Sequence, residues 1–484
     1  MRNLNLSDTI AAIATSPGES GIGIVRISGN EALKIADKIF VSKDGKKPST
    51  FKTYTVHYGW ICTSHKDTGS QDHKSNIKNL QPATRNPRQE IIDEVILTVM
   101  RSPRSYTRED IAEINCHGGI VALRQVLDLV LDNGCRLAQP GEFTKRAFLN
   151  GRIDLSQAEA VLDVVKAKTE SALKIGLEQL RGVLSYRLNK MRGVLLDNLA
   201  VLEANIDFPE EDTSPADGRE IIKRLKQTEE ELKIILDGSS HGRIFREGIS
   251  VVICGRPNVG KSSLLNALLK QERSIVTSVA GTTRDTIEEV IDIEGIPMRI
   301  VDTAGILKPR DPIQKKAVER AKRYIRQADL VILLFDGSKK LTGEDESLIR
   351  KLKKKIILAV INKIDLKENI EKEKILRAFG RVVSISAKKL INIDVLEKAI
   401  ADLVYQGKVH IAGSILVSNL RHIQEIKKTQ KLIAQALDSL DNKLSAEFIA
   451  QDIKDAVGHL DDVLGKRFSE ELLDRIFSEF CIGK

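Results

Sequence analysis

The segment Gly255-Arg-Pro-Asn-Val-Gly260-Lys261-Ser262 restricts the possible folds of this chain more than any other. It follows an apolar β-type run, Ile249 to Ile253, and opens a helical pattern beginning Ser263-Leu264-Leu265. Its glycines let the backbone curl until several N–H groups point at one spot, and the helix N-terminus adds partial positive charge there. The pattern GxxxxGK[ST] in this setting predicts a phosphate-binding loop, with Lys261 reaching the outer phosphates and Ser262 holding Mg²⁺. Such a loop needs a mostly parallel sheet around it. The runs Met298 to Val301, Leu330 to Phe335, Ile356 to Ile361 and Val382 to Ile385 alternate with helical patterns and predict that sheet.

Three further motifs stand at predicted strand ends, where open α/β sheets hold their ligands. Asp302-Thr303-Ala304-Gly305 would present a carboxylate to the metal through water and a glycine N–H to the γ-phosphate. Asn362-Lys363-Ile-Asp365 and Ser386-Ala387-Lys388 follow the next two runs. The Asp365 carboxylate can accept from N1–H and the exocyclic amine of guanine, whereas adenine would leave it desolvated and unpaired, so the expected ligand is GTP. The expected nucleotide contacts are Asn258, Val259, Gly260, Lys261, Ser262, Ser263, Thr277, Thr283, Asp302 to Gly305, Asn362, Lys363, Asp365 and Ser386 to Lys388. A switch loop is expected around Gly281-Thr282-Thr283-Arg284-Asp285. Ile306 occupies the place where Ras-like enzymes carry a water-orienting glutamine, so hydrolysis must recruit that group from elsewhere.

At 484 residues the chain is too long for one core and suits about three domains. With 42% apolar and 30% charged residues it is neither disordered nor collagen-like, and a net charge of +9 permits a nucleic-acid partner without requiring one. The five scattered cysteines argue against a disulfide framework or structural zinc. No secretory layout opens the chain and no run of 18 apolar residues occurs, so no membrane partner and a cytoplasmic location are expected. Leucines from Leu173 to Leu202 recur at steps of three and four, predicting one long amphipathic helix from about 157 to 206, ended by Pro209. Ile423 to Leu444 and Ile449 to Leu464 repeat the pattern. The expected fold class is multidomain, α/β plus all-α: an N-terminal α/β module at 1–150, a helical domain split into 151–245 and 408–484, and an inserted Ras-like P-loop domain at 246–407. The N-terminal module shows strand-like runs, Ile22 to Ile27 and Ile91 to Met100, and one helix, Ile120 to Leu131; Cys62 to Gln89 reads as a polar surface insertion.

The motif order, the TTRD switch and the ending Phe480-Cys481-Ile482-Gly483-Lys484 resemble the MnmE/TrmE family of bacterial tRNA modification GTPases. So do Asp8-Thr-Ile-Ala-Ala-Ile-Ala, Gly23-Ile-Val-Arg26-Ile-Ser-Gly29, Pro140 to Asn150 and Asp154 to Ala160. The resemblance implies a homodimer joined through its N-terminal modules, which bind a one-carbon tetrahydrofolate (5-formyl- or 5,10-methylene-) through Arg26, Glu113, Arg152 and Lys484. It implies a heterotetramer with an FAD- and NADH-using partner, MnmG or GidA, that installs a carboxymethylaminomethyl-type group on C5 of a tRNA wobble uridine. It further implies GTP hydrolysis stimulated by K⁺ at Asn258, Thr277, Val279 and Thr282, with Mg²⁺ at Ser262 and Thr283. Catalysis would rest on Lys261, Thr283 and Gln314, the last standing twelve positions after Asp302 where the family usually has glutamate. Glutamine can still orient water, so a slower, K⁺-stimulated turnover is expected. Cys481 is either a reactive thiol or a small apolar residue ordering the last turn. The competing expectation is an assembly GTPase that binds ribosomal RNA and modifies nothing.

Overall fold

The N-terminal sequence forms β1 (Ile10–Ile13), β2 (Gly23–Ser28), β3 (Phe40–Ser42), β4 (Thr55–Cys62), β5 (Ile91–Met100), β6 (Ile111–Cys116) and β7 (Arg136–Leu137) in the computed structural model. The model describes residues 7–16, 18–63, 90–207, 215–271, 288–302, 323–352, 355–405 and 417–484. The strands join in the order β3-β4-β5-β6-β2-β1-β7, with only β1 and β7 running parallel. Because side chains alternate along a strand, Val25, Ile27, Leu97, Val99, Ala112 and Ile114 fall on one buried layer with Leu33, Ile35, Leu123 and Val126 of the helices Ala32–Ile39 and Ile120–Asp132. Arg26, Thr98 and Glu113 are in register on the opposite face.

Two expectations are corrected here. Among the described residues the module holds three α-helices rather than one, since Ala32–Ile39 and Glu142–Leu149 are only eight residues each and offer barely two turns of periodicity to read. Cys62 belongs to β4 and is 3% exposed, so the excursion begins after Thr63, whose N–H donates to the Glu90 carbonyl at 3.0 Å. The rest of the polar insertion lies outside the described residues.

By its internal contacts the chain divides into two units, Met1–Leu162 with Leu464–Lys484, and Asp163–Val463. The single long helix expected from 157 to 206 is replaced by Leu155–Lys166, Glu170–Leu180 and Val183–Asp207. The Thr169 hydroxyl caps the middle helix by accepting from the Ala172 N–H at 3.1 Å, and Gly182 turns the chain at φ 83°. Leu173 and Leu177 are consequently exposed while Ile175 is buried, whereas the stripe from Leu184 through Leu188, Met191 and Leu195 faces inward as read. A 33-residue helix, Pro215–Glu247, escaped the sequence reading because charged residues interrupt its apolar stripe.

That helix feeds directly into the second sheet: β8 (Ile249–Cys254), β9 (Glu288–Ile293), β10 (Ile296–Asp302), β11 (Leu330–Asp336), β12 (Ile357–Asn362) and β13 (Val382–Ser384). The order is β13-β12-β11-β8-β10-β9, parallel except for the β9–β10 pair. Both faces are covered, Val251, Ile253, Ile332, Leu334 and Val360 lying in one core and Val252, Cys254, Val331, Leu333 and Ile361 in the other. Burial on both sides explains why these strands read as unbroken apolar runs. The architecture is the expected one, α/β and all-α parts with an inserted, mostly parallel P-loop sheet.

Candidate functional site

At the end of β8 the backbone turns through Asn258 at φ 64° and Gly260 at φ 102°, then enters the helix Lys261–Gln271. A Cβ on Gly260 would stand 2.2 Å from Asn362 Nδ2, so only glycine allows the loop to close against β12. Lys261 is buried, its ammonium donating to the carbonyls of Gly255 at 3.1 Å and Arg256 at 2.8 Å. Ser262 and Ser263 are exposed in the first helical turn. A concave loop too tight for a Cβ, a lysine folded over it and a helix N-terminus behind it fit a phosphate chain.

Asn362, buried at the end of β12, ties three segments together. Its Nδ2 donates to the Val259 carbonyl at 2.9 Å, and its Oδ1 accepts from Lys363 N at 2.8 Å and Ala387 N at 3.0 Å. Lys363 Nζ donates to the Asn258 carbonyl at 2.8 Å and to Asp336 Oδ2 at 2.6 Å. Asp365 is exposed and its Oδ1 accepts from the Ser386 hydroxyl at 2.6 Å, a contact that holds the carboxyl below the usual carboxylate range and keeps it an acceptor. Lys389 N donates to the same hydroxyl at 3.2 Å, while Lys388 is exposed beside it. The first, third and fourth motifs thus share one hydrogen-bonded cluster. Asp302 ends β10 in register with Ile253. Thr277, Val279, Thr282, Thr283, Thr303, Ala304, Gly305 and Gln314 lie outside the described residues, as does Pro209.

Sequence reasoning missed Asp336 and the Arg256 contacts to Glu344 at 3.1 Å and Asp345 at 3.3 Å. The readable signal for the first was an Asp-Gly pair closing the run Leu330 to Phe335.

A second constellation lies in the N-terminal unit. Arg26 on β2 and Glu113 on β6 are cross-strand partners, with Arg26 Nε donating to Glu113 Oε1 at 2.7 Å. Arg26 Nη1 also donates to the carbonyl of Gly483 at 3.2 Å. The Arg26 guanidinium lies 6.0 Å from the centre of the Tyr106 ring, and that of Arg152 lies 4.7 Å from it. Lys484 is brought in as the neighbour of Gly483, its own N–H donating to the Cys481 carbonyl at 3.3 Å. Cys481 is exposed, and His117 pairs with Asp93 at 2.7 Å on the surface. In the same unit the buried Arg146 guanidinium contacts Glu109 at 3.1 Å, Asp8 at 2.5 Å and Glu142 at 3.1 Å, an ion cluster that no local pattern announced.

The closed glycine loop, the lysine over it and the asparagine, aspartate and serine cluster define a P-loop GTP-binding enzyme. Residues 155–481 match the family described as the MnmE helical domain, and residues 9–152 the one described as the GTP-binding protein TrmE N-terminus. The chain is 44% identical over 481 residues to the tRNA modification GTPase MnmE of Alkaliphilus metalliredigens, covering 99% of this chain and 100% of that protein. The MnmE of Clostridioides difficile is equally similar, 44% over 481 residues with the same coverage. Among solved structures, Era from Aquifex aeolicus is 32% identical over 38% of this chain and 66% of its own, with a TM-score of 0.27, a likeness too partial to carry an assignment. The chain belongs to the MnmE family of tRNA modification GTPases and is a GTP hydrolase. Among the described residues no helix is long and apolar enough to cross a membrane.

Proposed function

We propose that this GTPase takes a one-carbon tetrahydrofolate in its N-terminal unit and, with an FAD-dependent partner of the MnmG type, modifies C5 of a tRNA wobble uridine. The observation that carries this reading is the meeting of Arg26, Glu113, Arg152 and the Gly483-Lys484 segment around Tyr106. A folate has an acidic tail suited to guanidinium and ammonium groups, a pterin whose N–H donors suit a carboxylate, and a flat ring system suited to an aromatic face. When bound, the folate supplies the one-carbon unit; the chain's own residues bind and orient it.

A homodimer fits the same face of the sheet. Beyond Glu113 the face continues through Thr98 to Ile96, Tyr58 and Val56, of which Val56 is 63% exposed and Tyr58 and Ile96 are 42% and 44% exposed. A row of uncovered apolar side chains next to a charged pocket suits a second copy of the chain. At the nucleotide site, Asn258 would share a K⁺ with Thr277, Val279 and Thr282. Mg²⁺ would rest on Ser262 and Thr283, with Gln314 orienting the attacking water. A fixed cation there would offset charge on the transferring phosphoryl group, the role that Ile306 leaves open.

Titration calorimetry with 5-formyltetrahydrofolate tests the folate reading. Binding that is lost in Arg26→Ala supports it, and no heat with the intact chain sinks it in favour of an RNA-binding switch. GTP turnover in KCl against NaCl at matched ionic strength tests the cation: equal rates would mean a general salt effect.

A further inference from the structure

We propose that Asp336 is a positioning residue for the GTP reaction, acting through Lys363 to lock the phosphate loop to the base-reading end of β12. Asp336 closes β11 and stands in register with Asn362. The chain then passes through Gly337, whose N–H donates to the Asn362 carbonyl at 2.8 Å and where a Cβ would lie 2.9 Å from that same oxygen. This close passage brings the Asp336 carboxylate onto the Lys363 ammonium. One oxygen accepts from Lys363 Nζ at 2.6 Å, and the other from the Ser338 N–H at 3.1 Å and hydroxyl at 2.7 Å. The side chain is only 9% exposed, and its contacts with Lys363 and Ser338 outweigh burial and hold the carboxyl below its ordinary range.

Lys363 is the lever. It sits at φ 70°, a conformation costly for any residue with a Cβ, and its ammonium also donates to the Asn258 carbonyl in the middle of the phosphate loop at 2.8 Å. One carboxylate therefore aims one ammonium at the loop, while the backbone of the same lysine belongs to the Asn362-to-Asp365 turn. Released from Asp336, the long flexible side chain would gain alternative directions, and the loop and the turn would keep the Asn362 tie but lose the second one through Lys363. Nucleotides that engage both, GDP as well as GTP, should then bind more weakly. Base choice rests on Asp365, which is held separately by Ser386, and should not change.

Fluorescent GDP and a non-hydrolysable GTP analogue, titrated into full-length chain, test this. Asp336→Asn is expected to weaken both by about tenfold, the size of one charge-assisted hydrogen bond, with the rise in KM exceeding any fall in kcat. In a double-mutant cycle, Asp336→Asn should add nothing to Lys363→Met, because the first acts through the second. The guanine-over-xanthine preference should stay at the parental value, which separates failure here from failure of the Asp365 reading. Parental affinity in Asp336→Asn, or losses that simply add in the double variant, would overturn the proposal. If Asp336→Asn does not fold, Ser338→Ala loosens the same carboxylate; it should cost about threefold in affinity, and an unchanged affinity is equally fatal.

Discussion

The two constellations are built in opposite ways. At the nucleotide site, short contiguous motifs hang on parallel strand ends and are joined by hydrogen bonds to backbone, as Asn362 does with Val259 and Ala387. In the N-terminal unit the group around Tyr106 unites Arg26 with a carbonyl 457 residues away, and the same unit holds a cluster in which the buried Arg146 and Glu109 meet the partly exposed Asp8 and Glu142. The first reads its ligand through one exposed carboxylate; the second is assembled from an ion pair and a hydrogen bond between segments far apart in the chain.

Asp365→Asn is the strongest probe of the first half. It turns the acceptor pair into an amide and should shift preference from GTP toward xanthosine triphosphate by about 10⁴ in relative affinity, read in competition titrations. Unaltered guanine preference would mean that base reading lies elsewhere and that the strand-end site is less local than it looks. Arg146→Met probes the other half. Removing the guanidinium takes away the cation that pairs with the buried Glu109, while Asp8 and Glu142 keep Arg136 at 2.7 and 2.5 Å, and about 3 kcal/mol of stability should be lost from the N-terminal unit, seen as faster amide exchange in β1 and β2 with nucleotide affinity retained. A loss of both together would erase the contrast.

Much of the fold was legible, and the reasons differ by region. Runs such as Leu330 to Phe335 are buried on both faces, so hydrophobicity alone marks them. The Asn362 and Ser386 motifs carry their chemistry within three or four residues. The Arg26 group was legible only through a family resemblance, because the pairing of Arg26 with Glu113 and Gly483 is made by strand register and by a distant segment. Arg146 was unreadable: in a helix, an arginine three or four residues from acidic neighbours ordinarily signals a solvated face. The break at Gly182 was hidden by leucines that keep helical spacing across it while Leu173 and Leu177 turn to solvent.

Acid should separate the halves more gently. Burial alone would raise the Asp8 and Glu142 carboxyls, but Arg136 and Arg146 overcome it and hold both below their ordinary values. Groups depressed in the folded state stabilise it above their unfolded pKa values, near 4, and that contribution fades as pH falls through the lower folded values. Amide exchange in β1 should therefore accelerate as pH drops below about 4, after correction for intrinsic rates, and Arg146→Met should lessen that dependence without abolishing it, because Arg136 still holds both carboxyls. The smallest effect is a labelling count. Burial pushes Cys116 up to about 11 and Cys135 and Cys254 up to about 12, and it raises Cys62, whereas Cys481 is exposed. Iodoacetamide at pH 8 should modify Cys481 rapidly and the other four only on unfolding; peptide mass mapping would reveal a second fast thiol.

The hydrogen bond from Arg26 to Gly483 also sets a timetable. A ribosome translates β2 long before the matching carbonyl exists, so a nascent chain can complete its first sheet while this corner stays unfinished. Products released early would carry the sheet without the corner that this hydrogen bond closes.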